Sequence, residues 1–124
     1  MSARAVAAGH LTKAKSFLEA AQAELEFELY DPATSNAVVA GINAKDVICL
    51  MLTGETKKTD NHHAAVAELK AAGQAGADQT KNLQRLLRLK ARSQYQSAAV
   101  SSADAEKAVE WAQRMVDAAQ ATLA

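Results

Sequence analysis

Apolar residues recur every three or four positions along almost the whole chain, and this helical period limits its possible folds more than any other feature. The register is clearest near the C-terminus, where it includes Ala105, Ala108, Val109, Ala112, Met115, Val116, Ala119 and Leu123. No segment alternates β-branched and polar residues between turn signals, as a half-buried strand would. Alanine, leucine and other strong helix formers dominate, and the 124 residues include one proline. The sequence therefore predicts an all-α fold.

Turn signals divide this pattern into five helices. We expect the first from Ala3 or His10 to Tyr30, and the others over about 35–53, 61–72, 79–96 and 103–123. Residues 31–35 should end the first helix, because proline disfavours helical geometry in the residue before it. The polar segments 55–60 and 74–78 are expected to be loops. Connections this short favour antiparallel neighbours, so we predict one domain over residues 1–124, an up-and-down antiparallel bundle of four to five helices.

Composition and charge argue against several classes of protein. Fourteen basic and fourteen acidic side chains cancel, so no overall field attracts nucleic acid or an anionic membrane. The single cysteine, Cys49, excludes an internal disulfide and is expected to be an inert core thiol. The longest apolar run has six residues, and the first residues lack the apolar core of a signal peptide. We expect a cytoplasmic protein with no membrane association, and nothing in the sequence indicates a cofactor.

The second predicted helix is apolar on every side, which makes its carboxylate, Asp46, unusual. Its helical neighbours are Val39, Ile42, Cys49 and Leu50. A buried charge without a partner costs several kcal/mol. We therefore expect Asp46 to meet Lys90 or His62 inside the bundle. The pair would be either a structural ion pair or part of a functional polar cluster, and the sequence leaves both interpretations open.

The fourth predicted helix carries two separate sets of polar residues. Lys90 and Gln94 share a face with the inner leucines, whereas Arg85, Arg88 and Arg92 lie together on the opposite side. The arginines form either a solvated face or a strip that contacts RNA phosphates. Trp111 lies off the apolar stripe of the last helix, as an interface anchor or as an edge residue. The adjacent histidines at 62 and 63 point about 100° apart, which makes a poor metal site.

Residues 35–49, which read SNAVVAGINAKDVIC, resemble the second helix of the HEPN superfamily (higher eukaryotes and prokaryotes nucleotide-binding domain). Similar segments follow in the family's order at 61–62, 86–90 with Tyr95, and 100–105. The resemblance implies a helical bundle that usually forms a homodimer. Many such proteins are RNA-cleaving toxins or antiphage components, often beside a nucleotidyltransferase partner, and many others are not catalytic. RNA, a nucleotide and a nucleotidyltransferase-type protein are therefore the implied partners.

The sequence departs from the family's catalytic motif, which is an arginine followed by four to six residues and a histidine. No histidine follows residue 63, so the fourth helix, where the motif is expected, contains none. Arg4 and His10 match the spacing, but they lie in the first helix. A non-catalytic dimeric module that binds RNA, nucleotide or a protein partner is therefore favoured, in a toxin–antitoxin or phage-defence context. The alternative is a metal-independent RNase whose candidate catalytic residues are Asp46, His62, Lys90 and Tyr95.

Overall fold

Five α-helices and their connections make up the computed structural model, which describes residues 1–124. The helices are α1 (Ala3–Glu26), α2 (Tyr30–Thr53), α3 (His62–Ala71), α4 (Gln74–Tyr95) and α5 (Ser102–Leu123). There are no strands, and the helices make antiparallel contacts, although α2 and α5 run parallel, with Asp31 beside Val100 and Gly41 beside Met115. The all-α bundle predicted from the hydrophobic period is therefore confirmed.

The central helix is α2, which contacts each of the other four helices. It also has more buried residues than any of them, including the charged Lys45 and Asp46. By length and composition α2 is apolar enough to cross a membrane, with a mean hydropathy of 1.3 over its most apolar window. The short apolar run in the sequence had not led us to expect this. A central core helix passes the same test, and 61% of this window is buried inside the bundle.

Small residues allow the helices to approach one another closely. A Cβ atom on Gly41 of α2 would lie 2.6 Å from Cδ1 of Leu86, so α4 packs directly on the α2 backbone at this point. A Cβ atom on Gly76 would lie 2.2 Å from the carbonyl oxygen of Leu69. Since real Cβ contacts are longer than this, the first turn of α4 can cross the end of α3 only with glycine at position 76.

Three helix boundaries differ from the prediction, and the first is the end of α1, at Glu26 instead of Tyr30. Helix α2 begins at Tyr30 instead of near residue 35, because Pro32 lies in its first turn, where a backbone N–H has no intrahelical partner to lose. The actual turn is at residues 27–29, where Glu28 has a left-handed φ of 60°. Helix α4 begins at Gln74 instead of Gln79, directly after Gly73, whose φ is 144°. Both turns, before α2 and before α4, therefore contain a residue with a positive φ. Helix α1 begins at Ala3, the earlier of its two expected starts.

Candidate functional site

A pocket of about 400 Å³ opens between α2, α3, α4 and the α2–α3 loop. We call it the lysine pocket. Its lining combines four lysines with two aspartates, a histidine, a threonine and four apolar side chains: Ile42, Lys45, Asp46, Lys57, Lys58, Thr59, Asp60, His62, Ala65, Leu83, Leu87 and Lys90. Cationic and apolar groups thus line one concave surface.

Asp46 is buried beneath the α2–α3 loop, with its side chain 4% exposed. The Thr56 hydroxyl donates to Oδ1 at 2.6 Å, and Nζ of Lys58 donates to Oδ2 at 3.0 Å. The need of this carboxylate for partners is confirmed, but both predicted partners are wrong. Neither Lys90 nor His62 forms an ion pair or hydrogen bond with it. The loop folds back over α2 and supplies the partners instead, which helical periodicity has no means of predicting.

Lys45 is the buried charge that sequence reasoning missed. Its side chain is 3% exposed, and its ammonium donates to the Thr56 hydroxyl at 3.0 Å and to the Lys57 carbonyl at 3.2 Å. It also forms an ion pair with Glu68 of α3. Lys45 therefore joins the core helix, the loop and α3. The signal was present in the sequence, because Lys45 lies within the same all-round apolar helix as Asp46.

His10 of α1 lies at the edge of this polar cluster. Its Nδ1 is 2.9 Å from Oδ1 of Asn43 and 3.8 Å from Oδ2 of Asp46, and its Nε2 is 3.4 Å from Nζ of Lys58. Arg4 instead donates to the carbonyl of Leu123 at the end of α5. The arginine and histidine that match the catalytic spacing therefore do not share one site, although the histidine itself lies beside Asp46.

A family model for the HEPN domain matches residues 7–121, which include nearly all of α1, the whole of α2, α3 and α4, and α5 as far as Ala121. The chain belongs to the HEPN domain family. A comparison with curated proteins gives no match, so the assignment rests on the family model. The family expected from the residues around Asp46 and Lys90 is thereby confirmed, and the lysine pocket lies entirely within the matched part of the HEPN domain.

Three of the four candidate catalytic residues of this HEPN domain line the lysine pocket together. They are Asp46, His62 and Lys90. Lys90 is half-buried, as its position on the inner face of α4 predicted, and its ammonium forms no ion pair or hydrogen bond. Tyr95 is the last residue of α4, is 88% exposed and does not line the pocket. Tyr95 is therefore not grouped with the other three.

The three arginines of α4 lie on its outer face, as the helical spacing predicted. All are exposed. The Arg85 guanidinium carbon is 5.8 Å from the centroid of the Trp111 ring, and Arg92 is 3.7 Å from Asp104. Trp111 is half-buried at the edge of the bundle, where its ring packs against the core cluster. A role for these arginines in RNA binding stays a prediction.

Cys49 is fully buried close to the charged cluster. Burial raises the pKa of its thiol to about 11; Lys45 opposes this shift, and Glu68 and Asp46 add to it. The thiol is therefore protonated at neutral pH, and this favours the inert role expected from the sequence. The structure contains no group of three or more His, Cys, Asp or Glu side chains that could hold a metal ion.

Proposed function

We propose that this HEPN domain binds a nucleotide in the lysine pocket and does not cleave it. The observation that carries the proposal is the half-buried residue Lys90, whose ammonium has no acidic partner and which lies in a pocket shared with Lys57 and Lys58. Lysine is a common phosphate ligand in proteins. A phosphate group would supply the negative charge that no side chain supplies to Lys90.

The balance of charges in the pocket supports an anionic ligand. Four lysines face two aspartates in the lining, and Glu68 behind it neutralises Lys45, so the site carries an excess of one positive charge. Lys45 is held by Glu68 and the loop, and Lys58 is paired with Asp46. Lys57 and Lys90 are therefore the cations free to meet a phosphate.

The apolar part of the pocket supports a ligand with a flat ring as well as a phosphate. Ile42 is half-buried, and Leu83 and Leu87 are 1% and 4% exposed. Pockets for small molecules usually combine apolar walls with a few polar groups that orient the ligand. A nucleotide has both kinds of surface, because its base is largely apolar on its faces and its phosphate is charged.

Calorimetric titration with adenosine 5′-monophosphate, and with adenosine as the uncharged control, tests the proposal. We expect the nucleotide to bind and Lys90→Gln to weaken it about tenfold, the loss of roughly one charge-assisted hydrogen bond. Arg88→Gln is the matched control, because it removes one cation from the exposed face of the same helix. Equal binding of adenosine and the nucleotide, or equal effects of the two variants, would contradict the proposal.

Non-catalytic binding is favoured by the absence of a general base in the expected place. RNA cleavage through the 2′-hydroxyl needs a proton acceptor with a pKa near neutral. The fourth helix contains no histidine, and its candidate catalytic Tyr95 is outside the pocket.

The second candidate function is a metal-independent RNase, which the shared placement of His62, Lys90 and Asp46 in one pocket supports. In this function His62 would accept the proton and Lys90 would neutralise charge on the phosphate. The test is cleavage of end-labelled RNA in the presence of a metal chelator. Cleavage that disappears in both His62→Ala and Lys90→Ala would favour the enzyme. Intact RNA with well-folded protein would favour the binding module.

The family assignment also supports a homodimer, acting beside a nucleotidyltransferase-type protein in a toxin–antitoxin or phage-defence setting in the cytoplasm. Analytical ultracentrifugation tests the first part of this proposal. A single species at the monomer mass of 13.1 kDa across micromolar concentrations would contradict the dimer.

A further inference from the structure

The turn between α1 and α2 carries acidic and large apolar side chains and no basic one. Residues 24–31 read ELEFELYD, and the longer stretch 16–44 contains five acids and no lysine, arginine or histidine. Phe27 is 77% exposed and Leu29 is 50% exposed, although both side chains are large and apolar. The exposed acids beside them are Glu26, Glu28 and Asp31. Negative charge and apolar surface therefore occur together at this turn.

The end of α4 and the α4–α5 loop lie at the same end of the bundle as this turn. The carboxylate of Asp31 accepts a hydrogen bond from the backbone N–H of Val100 at 3.0 Å. Tyr95, at the end of α4, adds an aromatic ring that is 88% exposed. A cavity of about 160 Å³ opens beside the loop, and its apolar lining is Leu89, Ala98, Ala99 and Val100. We call residues 26–31, Tyr95 and the loop 96–101 the acidic end.

The acidic end is far from the lysines of the α2–α3 loop. The two regions flank opposite ends of α2, whose 24 residues span about 36 Å. Charges on the surface are screened over about 8 Å at physiological salt. Although the chain as a whole is neutral, its acidic end therefore presents a negative potential that the distant lysines do not cancel.

We propose that the acidic end docks a segment of a partner protein that combines lysine or arginine side chains with apolar ones. Complementary charge steers such a segment to the surface, and the exposed aromatic rings anchor it. RNA and anionic membranes carry the same sign of charge as this surface, which repels them. A two-fold contact between copies of this chain would place the same acids against one another. The basic, apolar segment is the occupant that satisfies both the charge and the apolar side chains.

Fluorescence anisotropy with a labelled helical peptide of leucine and lysine, its leucines along one face, tests the proposal. The same peptide with glutamate in place of lysine is the control. We expect the lysine peptide to bind, increasingly weakly as salt is added, and the glutamate peptide not to bind. Phe27→Ala should weaken binding about tenfold, because it removes an aromatic anchor. Leu52→Ala is the matched control, since it shortens a side chain that is 42% exposed at the other end of α2.

A second pair of variants tests the contribution of charge. Glu26→Gln combined with Glu28→Gln should weaken binding of the lysine peptide about tenfold at low salt and make its salt dependence shallower. Glu55→Gln combined with Asp117→Asn removes the same charge from exposed positions away from the acidic end. This control variant should bind the peptide nearly as tightly as the unchanged protein does.

Several results would overturn the proposal. They are absence of peptide binding at low salt, equal binding of the two peptides, and equal effects of the acidic-end variants and their controls. A concentration-dependent dimer that Phe27→Ala abolishes would show instead that a second copy occupies the acidic end. A melting temperature lowered by more than about 2 °C in Phe27→Ala would mean that the ring packs within the fold.

The proposal is independent of nucleotide binding, because the acidic end does not line the lysine pocket. Phe27→Ala should therefore bind adenosine 5′-monophosphate as tightly as the unchanged protein does. Peptide binding without nucleotide binding would contradict the proposed function alone, and the reverse result would contradict this inference alone.

Discussion

The two faces of α4 both carry positive charge, but their surroundings differ. On the inner face, Lys90 is half-buried in the lysine pocket and has no acidic partner. On the outer face, the arginines are exposed, and two of the three contact other side chains, Trp111 and Asp104. By number of charges the outer face is the stronger candidate for binding an anion. Concavity and the absence of a partner favour the inner face.

The difference shows that burial changes how much a charged side chain contributes to stability and to the binding of an anion. An exposed ion pair contributes up to about 1 kcal/mol, because water screens it and both side chains lose freedom. Water screens a half-buried ammonium less, and its interaction with an incoming anion is stronger. We therefore expect variants on the inner side to change stability and binding, and variants on the outer face to change mainly the response to salt.

The largest expected effect is on stability, from Lys45→Ala. This change leaves Glu68 without its ion pair and removes the ammonium that holds the loop, and it should lower the free energy of unfolding by about 3–5 kcal/mol. Arg88→Ala on the exposed face should change it by less than about 0.5 kcal/mol. Urea denaturation measures both. Similar losses in the two variants would remove the distinction between the inner and outer charges.

The next effect is a pH dependence that originates at Cys49. Because burial raises the pKa of this thiol from 9.0 to about 11, the folded state keeps a proton that the unfolded state loses. Stability should therefore fall as the pH rises from 9 to 11, by roughly 2–3 kcal/mol from this group. Cys49→Ala lacks this contribution, so its stability should fall less over the same range. Parallel curves for the two proteins would show that the thiol does not carry the effect.

The packing of the inner face is tested by Gly41→Ala. The added methyl group would overlap Leu86, which is fully buried and has little room to move, so the variant should lose about 1–3 kcal/mol of stability. Gly9→Ala is the matched control, because nothing lies within 4 Å of its added methyl group. That variant should gain about 0.5–1 kcal/mol, as alanine favours the helix. A gain at both positions would show that α4 moves away from α2 at little cost.

The smallest effect concerns the outer face. If the three arginines contact RNA phosphates, changing all of them to glutamine should weaken single-stranded RNA binding about tenfold at low salt, and the dependence of affinity on salt should become shallower. Lys90→Gln removes a single cation, so it should change the salt dependence of this binding less than the triple variant does. Fluorescence anisotropy with labelled RNA measures both variants. No RNA binding by the unchanged protein at low salt would make the strip an ordinary solvated face.

Sequence reasoning was most successful where a helix is periodic. It predicted the buried stripe of α5, the inward position of Lys90 and the outward position of the arginines, since a 3.6-residue period determines which side chains share a face. It failed at Pro32, which begins α2 instead of ending α1, because proline is compatible with either position. It also grouped Tyr95 with the candidate catalytic residues, although its exposed side chain lies outside the lysine pocket.

The sequence by itself determined that the chain is a helical bundle of the HEPN family and that Asp46 is buried and needs partners. These conclusions depend on residue types and local periodicity. Only the tertiary structure decided that Thr56 and Lys58 are those partners and that His10 and Lys45 join them. The path of an eight-residue loop and the approach of one helix to another depend on packing across the whole chain, which no local pattern encodes.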